Sequence, residues 1–75
     1  VRYGLILVKT GATPPQEIIK GIGEIDGVLD AYAVFGRFDV VAFIEAEDYY
    51  KLKNIAAVVA GVEGIKSTET LVHGD

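Results

Sequence analysis

Cysteine, methionine and tryptophan are absent from this 75-residue chain, and histidine occurs once, at His73. Without cysteine there are no disulfides and no thiolate metal sites, and one histidine excludes a His-rich metal centre. Asparagine and glutamine occur once each, at Asn54 and Gln16, a depletion of labile side chains in the direction of thermophilic proteins. Basic residues are also few: seven Lys and Arg against eleven Asp and Glu, a net charge of −4, with the seven scattered along the chain. Nucleic-acid-binding domains carry a basic face, so direct contact with DNA or RNA is not expected. No apolar run approaches the roughly 20 residues needed to cross a bilayer. The apolar N-terminal segment has no basic region before it and no cleavage-site pattern after it, so it does not read as a signal peptide. The default compartment is the cytoplasm, with no membrane partner.

What is abundant is apolar side chain, 51% of the residues. A domain this small buries only about 60% of the surface its unfolded chain exposes and is marginal alone. With disulfides and metals excluded, association with other chains is the remaining support. The stretch from Gly36 to Glu47 sharpens this expectation. Phe38, Val40, Ala42 and Ile44 fill one alternation and Val41 and Phe43 the other. A strand with one wet face alternates apolar with polar; this one is expected to be covered on both sides.

The remaining elements follow in order. Residues 1–9 predict a strand, with Tyr3, Leu5 and Leu7 on one face and Gly4, Ile6 and Val8 on the other. Thr13 followed by Pro14, Pro15 and Gln16 predicts a helix start, Thr13 capping and Pro14 in the first turn. Ile18, Ile22 and Ile25 repeat at helical spacing with Ile19 beside them, and Asp26-Gly27 ends the helix. Residues 28–35 predict a second strand, with Val28, Asp30, Tyr32 and Val34 on one face. Residues 38–46 predict a third, joined to it by a two- or three-residue hairpin turn. Glu47-Asp48 opens a second helix with the apolar stripe Tyr49, Leu52, Ile55, Ala56 and Val59, and Gly61 is its expected cap. Tyr49-Tyr50 reads as one core and one surface ring. Residues 65–72 predict the last strand, with Thr68, Thr70 and Val72 facing one way and Ile65, Ser67, Glu69 and Leu71 the other.

The order is βαββαβ, and a shift of about 37 residues superposes Asp26-Gly27-Val28 on Glu63-Gly64-Ile65 and Ile18 on Ile55. Two right-handed βαβ units interleave into a ferredoxin-like α+β fold: a four-stranded antiparallel sheet with both helices on one face. The first and third strands are then central and the second and fourth are edges, as their polarity requires. The second sheet face remains apolar and open, which marks an interface, here expected to be a sheet-to-sheet dimer. Residues 1–75 form one domain.

Chemistry-bearing motifs are sparse. No phosphate-binding loop, dinucleotide fingerprint, HExxH or nucleophile elbow occurs, and neither a catalytic residue nor a metal site is expected. His73 reads as a solvated tail residue, and Glu45, Glu47 and Asp48 as a helix start. Gly36 reads first as a turn residue and Asp39 as a bonding partner of local backbone. Thr68 and Thr70 read first as β-branched strand formers. Together, though, a carboxylate and two hydroxyls suit a small zwitterion, whose ammonium seeks Asp39 and whose carboxylate seeks hydroxyls and amides.

The run from Ile25 to Val41, with Asp26-Gly27-Val28, Ala31-Tyr32-Ala33-Val34 and Gly36-Arg37-Phe38-Asp39, resembles the PGVxxAYxVTGxYDxxxxV signature of the effector-binding (RAM) domain of the leucine-responsive/asparagine-regulator (Lrp/AsnC) family. Gly64-Ile65-Lys66-Ser67-Thr68-Glu69-Thr70 resembles its closing GVxxTxT strand, so the likeness spans essentially the whole chain. Asp26 stands where the family has Pro, Phe35 where it has Thr and Phe38 where it has Tyr; the last two remove hydroxyls near the turn. The resemblance implies dimers through the sheets, rings of dimers, and amino-acid effectors held between dimers, with no cofactor. Carried over by position, the contacts are Gly36, Asp39, Thr68 and Thr70. Family members carry an N-terminal helix-turn-helix; this chain begins at the first strand, which resembles the stand-alone type, and full-length regulators are its implied partners. Two other readings stand beside this one: a small dimeric ferredoxin-like enzyme of monooxygenase or isomerase type, and a ligand-free oligomerisation module.

Overall fold

The computed structural model describes residues 1–73, so the last two residues of the expected 1–75 domain lie outside the described ones. Its elements are β1 (Arg2–Thr10), α1 (Pro15–Gly23), β2 (Val28–Ala33), β3 (Val40–Ala46), α2 (Tyr49–Ala60) and β4 (Ile65–Val72). The sheet order is β2-β3-β1-β4, all neighbours antiparallel, with the two doubly apolar strands in the centre. This is the ferredoxin-like arrangement.

Parity decides which face each side chain takes. Ile6 lies opposite Ala42 and Val8 opposite Val40, and these four with Ile44 are fully buried. They share one cluster with Ile18 and Ile22 of α1 and Leu52 and Val59 of α2, so both helices cover the same face. The close approach of α2 requires Gly4: a Cβ there would lie 3.1 Å from Ile44 Cγ1 and 3.4 Å from Leu52 Cδ2. The opposite parity, Tyr3, Leu5, Leu7, Val41 and Phe43, forms the uncovered face.

The internal repeat governs the helix exits. Ile25 N–H donates to the Ile22 carbonyl and Val62 N–H to that of Val59; Val28 N–H donates to Ile25 and Ile65 N–H to Val62. Gly27 and Gly64, at φ 98° and 97°, reverse the chain at equivalent points. Gly27 presses on Ile55 of α2 and Gly64 on Ile18 of α1, each glycine against the helix of the other half.

Several local expectations change. Each edge strand shifts register just after its glycine, leaving Leu29 in β2 and Lys66 in β4 as the extra residues. Val28 therefore turns to the core side with Ala31, away from Asp30 and Tyr32, and Ile65 joins the core side with Thr68 and Thr70. A bulge adds one residue and inverts every side chain before it. The β2–β3 connection is six residues, 34–39, rather than a tight turn; the Val34 N–H to Asp39 carbonyl bond (2.9 Å) closes it. The cap of α1 falls on Pro14, which has no capping side chain, while Thr13 packs against Gly64. Asp48 caps α2 by accepting from Lys51 N–H at 2.8 Å. Gly61 sits at the other end in a right-handed conformation, φ −86°. Neither Tyr49 nor Tyr50 is in the core; both are exposed and meet edge to face, with Lys53 over the Tyr49 ring.

Candidate functional site

The loop of residues 34–39 is fixed at its base and open at its tip. Asp39 supplies the fixing. Its N–H donates to the Val8 carbonyl at 2.8 Å. Its carboxylate turns to the end of β1, where Oδ2 accepts from Thr10 N–H at 2.9 Å and from Thr10 Oγ1 at 3.2 Å. Gly36 takes φ 118°, and a Cβ added there would meet nothing within 4 Å, so the glycine serves the turn and leaves space around it. Lys9 Nζ donates to the Arg37 carbonyl at 3.2 Å. Between the loop and β4 lies an open basin of about 600 Å³ lined by Lys9, Arg37, Phe38, Ser67, Thr68 and Glu69.

Thr68 lies opposite Val8 and Thr70 opposite Ile6, so the two share the helix-covered face of the sheet at its edge. Thr70 also lines a groove of about 280 Å³ between α2 and β4, with Tyr49, Leu52, Lys53, Ala56 and Val72. Asp39 and Thr68 therefore flank the same residue, Val8, from opposite sides of β1. Two strand spacings separate β3 from β4, about 10 Å. One chain brings Gly36 and Asp39 together, and Thr68 and Thr70 together. It does not close the two pairs around a single small molecule. Thr10, the partner of Asp39, and Lys9 were not picked out from sequence; the end of a strand gives no signal of which loop folds back on it.

The uncovered face carries the larger apolar feature. Tyr3, Phe43 and Leu71 are 49%, 43% and 49% exposed, with Leu5, Leu7 and Val41 between them. Tyr3, Leu5, Phe43 and Leu71 line a shallow concavity of about 420 Å³ that Gly4, Val72 and His73 also border. Tyr32 meets Phe43 edge to face at 6.1 Å. The Tyr32 hydroxyl donates a hydrogen bond to Asp30 Oδ2, which raises the phenol above its ordinary pKa of 10.0. No group of three His, Cys, Asp or Glu side chains is placed to hold a metal among the described residues. No helix among them is long and apolar enough to cross a membrane.

The domain is thus two-layered, with one bare apolar sheet face and a polar basin at its loop end. The family comparison places it further: the Lrp/AsnC ligand binding domain matches residues 4–73, and the chain belongs to that family. The structure is similar to the protein TTHA0845 from Thermus thermophilus, with a TM-score of 0.91, 25% identity, and coverage of 100% of this chain and 95% of that one. It is also similar to Escherichia coli AsnC, with a TM-score of 0.85 and 19% identity over 96% of this chain and 50% of that one. The transcriptional regulator NMB0573 from Neisseria meningitidis, solved as an L-Met complex, gives a TM-score of 0.82 at 14% identity over 99% of this chain and 50% of that one. The chain thus spans about half the length of these two regulators and nearly all of the Thermus protein. Comparison with curated protein sequences gives no match.

Proposed function

We propose that this chain is a non-catalytic, oligomeric amino-acid sensor. Copies pair sheet face on sheet face, and the pairs assemble into rings of dimers in the cytoplasm. A free amino acid sits between neighbouring dimers, held by Gly36 and Asp39 of one loop and by Thr68 and Thr70 of a last strand. Occupancy shifts the assembly equilibrium by the difference in affinity for the two states. Its seven Lys and Arg are scattered along the sequence, and the signal reaches DNA through co-assembly with full-length Lrp/AsnC regulators.

The observation that carries this reading is the uncovered apolar face, since an exposed patch of this kind marks an association surface. The split of the site supports it: β1 stands between Asp39 and the two threonines, so a small ligand needs groups from more than one copy. The relative solved with L-Met supports an amino acid as the ligand class.

Isothermal calorimetry against each standard amino acid tests the proposal, with Asp39→Ala and the Thr68→Ala/Thr70→Ala pair as controls. Binding by a subset of amino acids, lost in both controls, is the expected result. Unchanged binding in both variants removes these residues from the site. No binding by any amino acid, with an assembly mass that none of them changes, favours a ligand-free structural module instead.

A further inference from the structure

The basin between the loop and β4 has a charge pattern of its own. Among its lining residues Lys9 and Arg37 are cations and Glu69 is an anion, while Ser67 and Thr68 carry hydroxyls and Phe38 is apolar. The whole chain has seven Lys and Arg against eleven Asp and Glu. Two cations to one anion at a single opening reverses that balance.

Strand register explains the grouping. Lys9 lies opposite Ser67 and Leu7 opposite Glu69, so Lys9, Ser67 and Glu69 belong to the sheet face that the helices leave bare. The apolar part of that face ends at Leu7 and Val41, and the basin takes up the polar end beyond them. A Lys and a Glu set diagonally across two strands ordinarily pair with each other. Here they do not. Lys9 Nζ donates to the Arg37 carbonyl at 3.2 Å, and neither Lys9, Arg37 nor Glu69 forms an ion pair among the described residues.

Asp39, the other carboxylate near the loop, is committed elsewhere. Its Oδ2 accepts from both the N–H and the hydroxyl of Thr10, and it is not among the residues that line the basin. An ammonium entering the basin therefore meets Glu69. Carboxylates entering with it meet Arg37, which can hold one on two parallel N–H bonds, and Lys9, which acts as a point charge. One ammonium and two carboxylates answer all three charges. A neutral amino acid answers the anion and leaves a cation over.

We infer that the effector is an acidic amino acid, aspartate or glutamate, with Arg37 and Lys9 taking its carboxylates and Glu69 its ammonium. The inference deepens the amino-acid reading above and rests on it; Asp39 then serves the site through the loop that it anchors. The field of a chain with net charge −4 opposes an anionic ligand, so preference for the acid over its amide has to come from these two cations.

Calorimetry with L-glutamate, L-aspartate, glutamine and asparagine tests it on the wild type, Arg37→Gln, Lys9→Gln and Glu69→Gln, all at one salt concentration. One acid is expected to bind at least about tenfold more tightly than its amide. Arg37→Gln and Lys9→Gln are each expected to cut that ratio, with unchanged circular dichroism. Glu69→Gln is expected to weaken the acidic amino acid but not glutarate, which has two carboxylates and no ammonium. An amide bound as tightly as its acid overturns the proposal, as does a ratio that neither Arg37→Gln nor Lys9→Gln changes. Glutarate and glutamate weakened alike by Glu69→Gln overturns the part given to Glu69. A neutral amino acid bound more tightly than either acid, and lost in Asp39→Ala and in the Thr68→Ala/Thr70→Ala pair, overturns the proposal while leaving the sensor reading standing. No binding by any amino acid overturns both.

Discussion

Replacing Gly27 by alanine tests how the two halves of the fold interlock. The backbone there is at φ 98°, where an L side chain is strained by about 1–2 kcal/mol. The new Cβ would also lie 2.3 Å from Ile55 Cδ1 and 3.1 Å from the Glu45 carbonyl oxygen. Relieving such overpacking costs about 1–3 kcal/mol more. Gly36 is the internal control: its φ is 118° but nothing lies within 4 Å of its Cβ position, so Gly36→Ala carries the strain alone. The gain from a stiffer unfolded chain is the same for both and cancels. Gly27→Ala is therefore expected to cost about 1–3 kcal/mol more than Gly36→Ala. Urea unfolding at one chain concentration reads the difference from the midpoints at constant m. Ile55→Val, which removes the clashing Cδ1, should recover about 1 kcal/mol in the Gly27→Ala background while costing about as much in the wild type. Equal midpoints for Gly27→Ala and Gly36→Ala, or no coupling with Ile55→Val, would refute the packing described.

Asp48→Ala removes the bond to Lys51 N–H and should cost about 1 kcal/mol in the same assay. Asp39→Ala leaves the partly buried Thr10 N–H without its acceptor, and should cost about 1–3 kcal/mol; an unchanged midpoint would mean that the carboxylate does not anchor the loop. Tyr32 gains proton affinity from Asp30 in the folded state, so its contribution is complete below pH 10.0 and fades as pH rises through its raised folded pKa. Asp30→Ala should bring the Tyr32 ring titration, followed by NMR, back toward 10.0. Lys51 behaves with the same sign: Glu47 raises its pKa above 10.5, and the pair is lost only as pH climbs past that raised value.

The centre of the fold was legible because β1 and β3 are paired on both sides and carry no bulge against each other. Alternation from Tyr3 to Val8 and from Val40 to Ile44 therefore maps directly onto two faces. The edge strands were legible as edges but not in register. Leu29 and Lys66 each occupy a bulge, and an extra residue leaves no mark in a pattern of single letters. The repeat was visible as Asp26-Gly27-Val28 against Glu63-Gly64-Ile65, yet its physical content, each glycine packed on the opposite half's helix, needed coordinates. Residues 34–39 misled for a related reason. Phe38 continues the apolar alternation, but residues 34–39 stand outside the paired strands, with the Asp39 carboxylate turned to Thr10. For the site, residue types were readable and their grouping was not. Asp39, just before β3, and Thr68, in β4, lie on either side of β1, a separation that follows from strand order and not from local sequence.

The central claim is that a second copy covers the sheet face bearing Tyr3, Leu5, Leu7, Val41, Phe43 and Leu71. Sedimentation equilibrium of the wild type beside Phe43→Glu, over a range of chain concentrations, tests it most directly. The account predicts a wild-type mass that is a multiple of 8.0 kDa and a charged variant whose sheet-to-sheet pairs come apart. A folded wild type that sediments as a single 8.0 kDa chain at micromolar concentration, with that face in water, would contradict it.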